Sequence, residues 1–220
     1  MISVIVPIKN EPPEAALPLA RFSAPPDCEL VVVNASEGSP AEFPGARLIL
    51  EKGSRGACLA RAASEARGEI LFFLHADSRP PQDALAIIQR AVGQGAAAGA
   101  FSLAYENADR RMRWIAWWAN LRSRFLRIPF GDQGIFCRRD AYDAAGGFRD
   151  MPVCDDIDLV RRLRAVGRFV IRPEITTTSS RRYRDSGALR QVLRVWVVMG
   201  GYFLGISPKR LGRWYYGTAS

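Results

Sequence analysis

The 220-residue sequence predicts an α/β fold, a doubly wound sheet with helices on both faces. Three observations predict it. The first half alternates short apolar runs with helix-like segments, the βαβ pattern. The runs are continuously apolar rather than alternating, as strands covered on both faces must be. Hydrophobic residues make up 48% and charged residues 24%, which suits a chain that folds around a core.

The elements follow in order. Residues 2–7 read as the first strand, 29–34 as the second, 46–50 as the third and 69–75 as the fourth. Pro7 should end the first strand, because it brings no N–H to the ladder. A helix should separate strands three and four, with Ser54 as its cap, Ala57, Ala60, Ala63 and Ala66 favouring it, and Gly68 stopping it. A second helix runs from Pro81 to about Val92. In such sheets ligands bind beyond the carboxyl ends of the strands, so chemistry is sought there.

The second half is less regular. Residues 98–105 read as a strand, and 107–127 as a basic helix carrying Trp114, Trp117 and Trp118. A turn with Gly131 and Gly134 follows, then a short helix ending at Gly146-Gly147 and a helix from Asp155 to about Val166. Helical segments at 187–204 and 208–216 close the chain. No linker or repeat divides it, so residues 1–220 read as one domain: a regular α/β half (1–100), a less regular half (101–182) and a helical tail (183–220).

Net charge is +9, unevenly spread. Residues 1–100 hold 9 basic and 11 acidic side chains, and residues 101–220 hold 22 and 11. A basic second half implies an anionic partner: phosphate, a membrane surface or nucleic acid. No zinc-finger or RNA-recognition signature supports nucleic acid. Four dispersed cysteines, with no C-x-x-C pair, read as reduced and buried. One histidine makes a zinc site improbable. No signal peptide or membrane-spanning run is evident, which predicts a cytoplasmic protein.

Several polar groups fall at the predicted ligand edge. Lys9, Asn10 and Glu11 follow strand one, and Asn34 ends strand two. On strand four, alternation puts His75 and Asp77 on one side. A carboxylate and an imidazole there suit a divalent cation held against a diphosphate, with nitrogen favouring Mn²⁺ over Mg²⁺. Asp155, Asp156 and Asp158 stand at a helix start. Carboxylates are favoured there by the helix dipole, but one could also take a proton from a hydroxyl.

Taken together, these segments resemble the family 2 glycosyltransferases. The resemblance rests on Val4-Ile5-Val6-Pro7-Ile8-Lys9-Asn10-Glu11, Asn34-Ala35-Ser36-Glu37-Gly38, Arg55-Gly56 with Ala60-Arg61-Ala62-Ala63, and Leu74-His75-Ala76-Asp77-Ser78. It continues through Gly131-Asp132-Gln133-Gly134, Gly146-Gly147-Phe148 and Asp155-Asp156-Ile157-Asp158-Leu159, and covers about residues 1–182. The Leu-His-Ala-Asp form and the length look like a small bacterial subgroup associated with arsenosugar biosynthesis.

The resemblance implies a GT-A fold: a mixed, mostly parallel sheet flanked by helices, with a helical C-terminal tail. It implies transfer of a sugar from a nucleotide-sugar donor, UDP-linked by the family's habit, to an acceptor hydroxyl with inversion. Pro7, Asn10, Glu11 and Asn34 would line the nucleoside pocket, with Asn34 standing where the family has an aspartate. Arg55, Arg61, Arg181 and Arg182 would meet the base or phosphates. Asp77 matches the last aspartate of the family's D-x-D metal motif, and His75 replaces the first, so Mn²⁺ or Mg²⁺ would sit there. Asp156 matches the catalytic base, with Asp155 beside it, and Gln133 and Gly134 would border the acceptor. The rivals are a sugar nucleotidyltransferase and a non-enzymatic basic binding module. The first would need a Gly-rich phosphate loop after strand one, and Pro7-Ile8-Lys9-Asn10-Glu11-Pro12-Pro13 has no glycine. The Trp/Arg helix reads either as a packed helix with snorkelling arginines or as a peripheral contact with an anionic membrane. The aromatic tail reads as part of that contact or as a homodimer interface.

Overall fold

The computed structural model describes residues 1–9, 21–22, 27–35, 43, 45–181, 183 and 187–217. One seven-stranded sheet organises them. Its strands are β1 (Ile2–Ile8), β2 (Cys28–Asn34), β3 (Ala46–Leu50), β4 (Ile70–Phe73), β5 (Ala98–Tyr105), β6 (Ile135–Arg138) and β7 (Phe169–Thr178). Their order is β3-β2-β1-β4-β6-β5-β7. The four strands on the β3 side pair in parallel, as expected. β6 then runs antiparallel to both β4 and β5, and β7 returns parallel to β5. The sheet is therefore mixed and mostly parallel.

Alternate residues along the central strands feed two cores. On one face Ile5, Val31, Val33, Leu71 and Phe73 meet Cys58, Leu59, Ala62 and Ala63 of α1 (Arg55–Glu65) and Leu159, Val160 and Leu163 of α5 (Asp155–Val166). On the other, Val4, Val6, Leu30, Val32 and Phe72 meet Ile87, Ile88 and Ala91 of α2 (Ala84–Gly93). Fully burying a side chain of this size contributes about 1.5–3 kcal/mol, so these layers set the frame. The aromatic stack Phe72–Phe101–Phe136, with 5.9 Å between successive centroids, ties the parallel strands to the antiparallel insert.

The helices form where the sequence signals them. Ser54 caps α1, accepting from the Ala57 N–H at 3.2 Å. No basic residue lies in the last turn of α1. Arg139, at the start of α4 (Arg139–Ala144), supplies that charge by donating to the carbonyls of Ala63, Ala66 and Gly68. α3 (Arg110–Leu126) packs on β5 through Met112 and Ala116. Two C-terminal helices, α6 (Ala188–Phe203) and α7 (Pro208–Tyr216), enclose a smaller core of Met151, Val153, Ile157, Val198, Met199 and Leu211.

Three expectations need correction. Pro7 does not end the first strand: β1 continues to Ile8, with Pro7 in register opposite Val33. β4 stops at Phe73, so residues 74–78 are not strand. The strands β6 and β7 replace segments that the sequence left without strand character.

Candidate active site

The carboxyl ends of β1 and β4 open onto a narrow cleft lined by Pro7, His75, Arg55, Gly131, Asp155 and Asp156, among others. Each reaches it by a local cause. α1 begins at Arg55, directly after its cap. Ser54 Oγ also donates to Asp150 Oδ1 at 2.6 Å, which fixes the helix start against the loop before α5. At Gly56 a side chain would collide with the Arg149 carbonyl, so only glycine lets the two segments approach this closely. That loop is anchored at its other end by Arg162, which donates to the Ala145 and Gly147 carbonyls and to Asp158. The short spacing from Gly146-Gly147 to Asp155 is therefore a clamped connection.

α5 starts from Cys154, in the left-handed region at φ 63, which aims both Asp155 and Asp156 at the cleft. Arg55 grips Asp155 with two hydrogen bonds, Nε to Oδ2 at 2.9 Å and Nη2 to Oδ1 at 2.6 Å. Nη2 also lies 3.4 Å from Asp156 Oδ2. Asp156 accepts from the Gly131 N–H at 2.8 Å and from the Ile157 N–H at 2.8 Å. The Asp155 side chain is 1% exposed and that of Asp156 13%, so of the two only Asp156 presents an oxygen toward the cleft opening.

The charges are strongly coupled. Burial pushes Asp155 above the usual carboxylate range, against the pull of Arg55. Burial also raises Asp156, but Arg55 and the Gly131 and Ile157 N–H groups outweigh it and hold that carboxyl low. The Arg55 guanidinium, desolvated but flanked by both carboxylates, is held firmly charged. Asp158 belongs to the scaffold: it pairs with Arg162 at 2.6 Å and accepts from the Tyr202 hydroxyl at 2.8 Å.

His75 and Asp77 lie in a turn closed by the Ser78 N–H on the His75 carbonyl at 3.0 Å, so strand alternation does not relate them. His75 Nε2 is 3.1 Å from Arg55 Nη1, and as the guanidinium has only donors, this nitrogen accepts. Gly131 packs onto the same ring, where a Cβ would stand 2.6 Å from Nε2. Asp77 Oδ1 accepts from Thr178 Oγ1 at 3.3 Å. Among the described residues, no three His, Cys, Asp or Glu side chains form a metal cluster. A cation carried by a diphosphate does not require one, because phosphate oxygens and waters complete its shell around one or two carboxylates. Asp77 fits that part. Nε2 of His75 fits it only on giving up Arg55.

The other expected residues are placed as follows. Asn34 is buried at the end of β2, beside Pro7 and Ile8. Arg61 pairs with Glu65 at 2.6 Å and approaches Glu51 at 4.0 Å. Arg181 is exposed just beyond β7. Gln133 is fully buried: its Oε1 accepts from Ser123 Oγ and its Nε2 donates to the Phe101 carbonyl, which ties α3 to β5. Gly134, at φ 66, packs against the Phe72 ring and closes the turn. Asn10, Glu11 and Arg182, with Ser36-Glu37-Gly38, lie outside the described residues.

Two residues at the site were not singled out from sequence. Asp132 is pushed up to about 6 by burial, reinforced by the charges of Asp156 and Asp77 and opposed by Arg122 and Arg55. Its Oδ1 is buried without a hydrogen-bond partner among the described residues, as is Nη2 of Arg122. Arg122 lies over the Phe130 ring at 3.5 Å and donates from Nε to the Ile128 carbonyl at 3.0 Å. Asp132 sits inside the quoted Gly131–Gly134 segment, but its burial arises from packing that spacing does not show. A wider, open depression of about 630 Å³ lies at Arg79, Glu106 and Thr177 on the β5–β7 side, away from the paired carboxylates.

No family model matches the chain, and no curated protein matches it. Solved structures do. The mannosyltransferase PcManGT from Pyrobaculum calidifontis, in complex with GDP-Man and Mn²⁺, matches with TM-score 0.60 and 22% identity over 80% of this chain and 56% of that one. S. aureus TarS 1-349 in complex with UDP-GlcNAc matches with TM-score 0.61 and 15% identity, over 81% of this chain and 58% of that one. TarS 1-349 alone gives 0.59 and 15%, over 88% and 64%. The likeness is one of fold, and this chain spans less than two thirds of those chains.

Proposed function

We propose that this chain is a family 2-like, inverting glycosyltransferase that moves a sugar from a nucleoside-diphosphate donor to an acceptor hydroxyl. The observation that carries the reading is Asp156. It is a carboxylate oriented by two backbone N–H groups, at the carboxyl edge of the sheet in a fold shared with structures bound to GDP-Man and UDP-GlcNAc. Residues 1–100 would hold the nucleotide, with Pro7 and Asn34 at the base and ribose. Residues 101–182 would complete the acceptor side, and 183–220 would form the tail.

In this mechanism Asp156 accepts the proton of the acceptor hydroxyl as its oxygen attacks the anomeric carbon from the face opposite the diphosphate. The glycosidic bond forms, the bond to the diphosphate breaks, and the configuration inverts. The Gly131 N–H and Arg55 hold the Asp156 oxygens in place throughout. Asp155 is a positioning residue, neutralising and orienting Arg55. Arg122 and Arg181 would meet the departing nucleoside diphosphate, where preorganised positive charge is most effective, while Arg55 stays with its two carboxylates. A divalent cation at Asp77 would offset charge on the same leaving group.

The test is Asp156→Asn, which keeps the size and a helix-start polar group but cannot take the proton. Release of nucleoside diphosphate from a panel of GDP- and UDP-sugars should fall by about 10²–10⁴-fold, with donor affinity retained. Turnover at the parental rate would show that Asp156 is only structural.

A further inference from the structure

α3 is held so that it cannot turn its aromatic face inward. Asn120 binds the Leu103 backbone on both sides, accepting from its N–H at 2.7 Å and donating to its carbonyl at 2.9 Å. Ser123 donates to Gln133 at 2.7 Å one turn further on. Met112, Ala116 and Ser123 are buried on that side. The residues at i, i+3, i+4 and i+11 on the outer side are then Trp114, Trp117, Trp118 and Phe125, exposed by 59%, 55%, 41% and 78%. The three indoles contact one another edge to face, at 5.8 and 5.2 Å, and form one continuous apolar patch.

Along α3 itself the charge has a single sign. Residues 110–127 contain no Asp or Glu, while Arg110, Arg111, Arg113, Arg124 and Arg127 are all exposed. The C-terminal pair repeats the pattern. Residues 187–217 carry no acid, and Trp196 and Trp214 are about half exposed among Arg194, Arg210 and Arg213. Ile128 and Phe130, which follow α3, pack into the Val198, Met199 and Leu211 core, so both segments belong to one packed unit. An acidic protein surface or duplex nucleic acid would match the arginines but leave the indoles in water, and a single strand needs separately presented ring faces on which to stack its bases, whereas these indoles pack edge to face on one another. A second copy of this chain would bring arginine against arginine. An anionic bilayer interface satisfies both, because indole favours the headgroup level and each guanidinium meets a lipid phosphate.

We propose that α3, assisted by α6 and α7, docks this chain peripherally on an anionic lipid surface. The test is co-sedimentation of the full chain with vesicles of phosphatidylcholine alone and of phosphatidylcholine with about 30% phosphatidylglycerol, at about 0.05 M and 0.5 M NaCl. Binding should require the anionic lipid and be lost at high salt. The variant W114Q/W117Q/W118Q and, separately, R110Q/R111Q/R113Q should each weaken binding about 10-fold or more while melting as the parent does. Equal recovery on both vesicle types, or unaltered binding by both variants, would overturn the proposal. So would a dimer seen by light scattering that the tryptophan variant dissolves, which would assign the face to a second copy. Vesicle binding is read without turnover, so this result stands apart from the transferase reading.

Discussion

Adjacent carboxylates at 155 and 156 meet different fates because α5 leaves a left-handed turn at Cys154. Asp155 is sealed under Arg55, while Asp156 keeps an exposed edge. The family resemblance singled out Asp156 as the base, but spacing alone does not separate the two, since it reports position along a helix and not accessibility. Asp132 shows the complementary gap: its buried, unpartnered oxygen is a product of packing, which sequence spacing does not report. A carboxyl raised from 3.8 to about 6 binds its proton more tightly in the folded state. Stability therefore falls as pH rises from about 4 to about 6, and the ionised form costs on the order of 1–3 kcal/mol above that. Asp132→Asn removes the cost. Its melting temperature should exceed the parent's by several degrees at pH 8, and the two curves should converge near pH 4. A difference that stays constant with pH would dissociate the effect from ionisation of Asp132.

At the scale of elements, the parallel strands were legible because each is a continuous apolar run flanked by turn residues. β7 was not, and the reason lies in its place at the sheet edge. Pro173 interrupts it, and the register shifts between the Ala100 and Ser102 pairs, as an edge strand tolerates. β6 is four residues between a turn and a helix, too short for periodicity to show. The early end of β4 removed the alternation argument for His75 and Asp77 and left the turn to hold them. α3 was legible as a basic helix, but its roll depends on Asn120, which serves the Leu103 backbone as a neighbouring strand would. Asn120→Ala should lower stability by about 1–3 kcal/mol through two lost hydrogen bonds to buried backbone. Amide exchange at Leu103 should accelerate. Unchanged protection of that amide would show that the contact does not hold α3 in place.

Across the whole molecule, the cleft lies where the parallel strands meet the antiparallel insert, and its residues come from segments far apart in the chain. Arg55 reaches Asp155 across 100 positions, and Asp77 meets Thr178 across 101. A ligand bridging these groups would fasten both halves of the sheet together, so binding should be read in the stability of the entire fold. A nucleoside diphosphate with Mn²⁺ at about 100 times its dissociation constant should add about 2.7 kcal/mol. For a chain of this size that is a rise in melting temperature of about 5–11 °C. The nucleotide without metal should give a smaller rise, because base and ribose contacts do not need the cation. Asp77→Ala should then show the metal-free shift whether or not Mn²⁺ is added. Comparing GDP with UDP in the same assay addresses Asn34, where an amide replaces the carboxylate implied by the family resemblance. An identical shift for the parent with and without Mn²⁺ would remove Asp77 from the donor site and leave the diphosphate to the arginines alone.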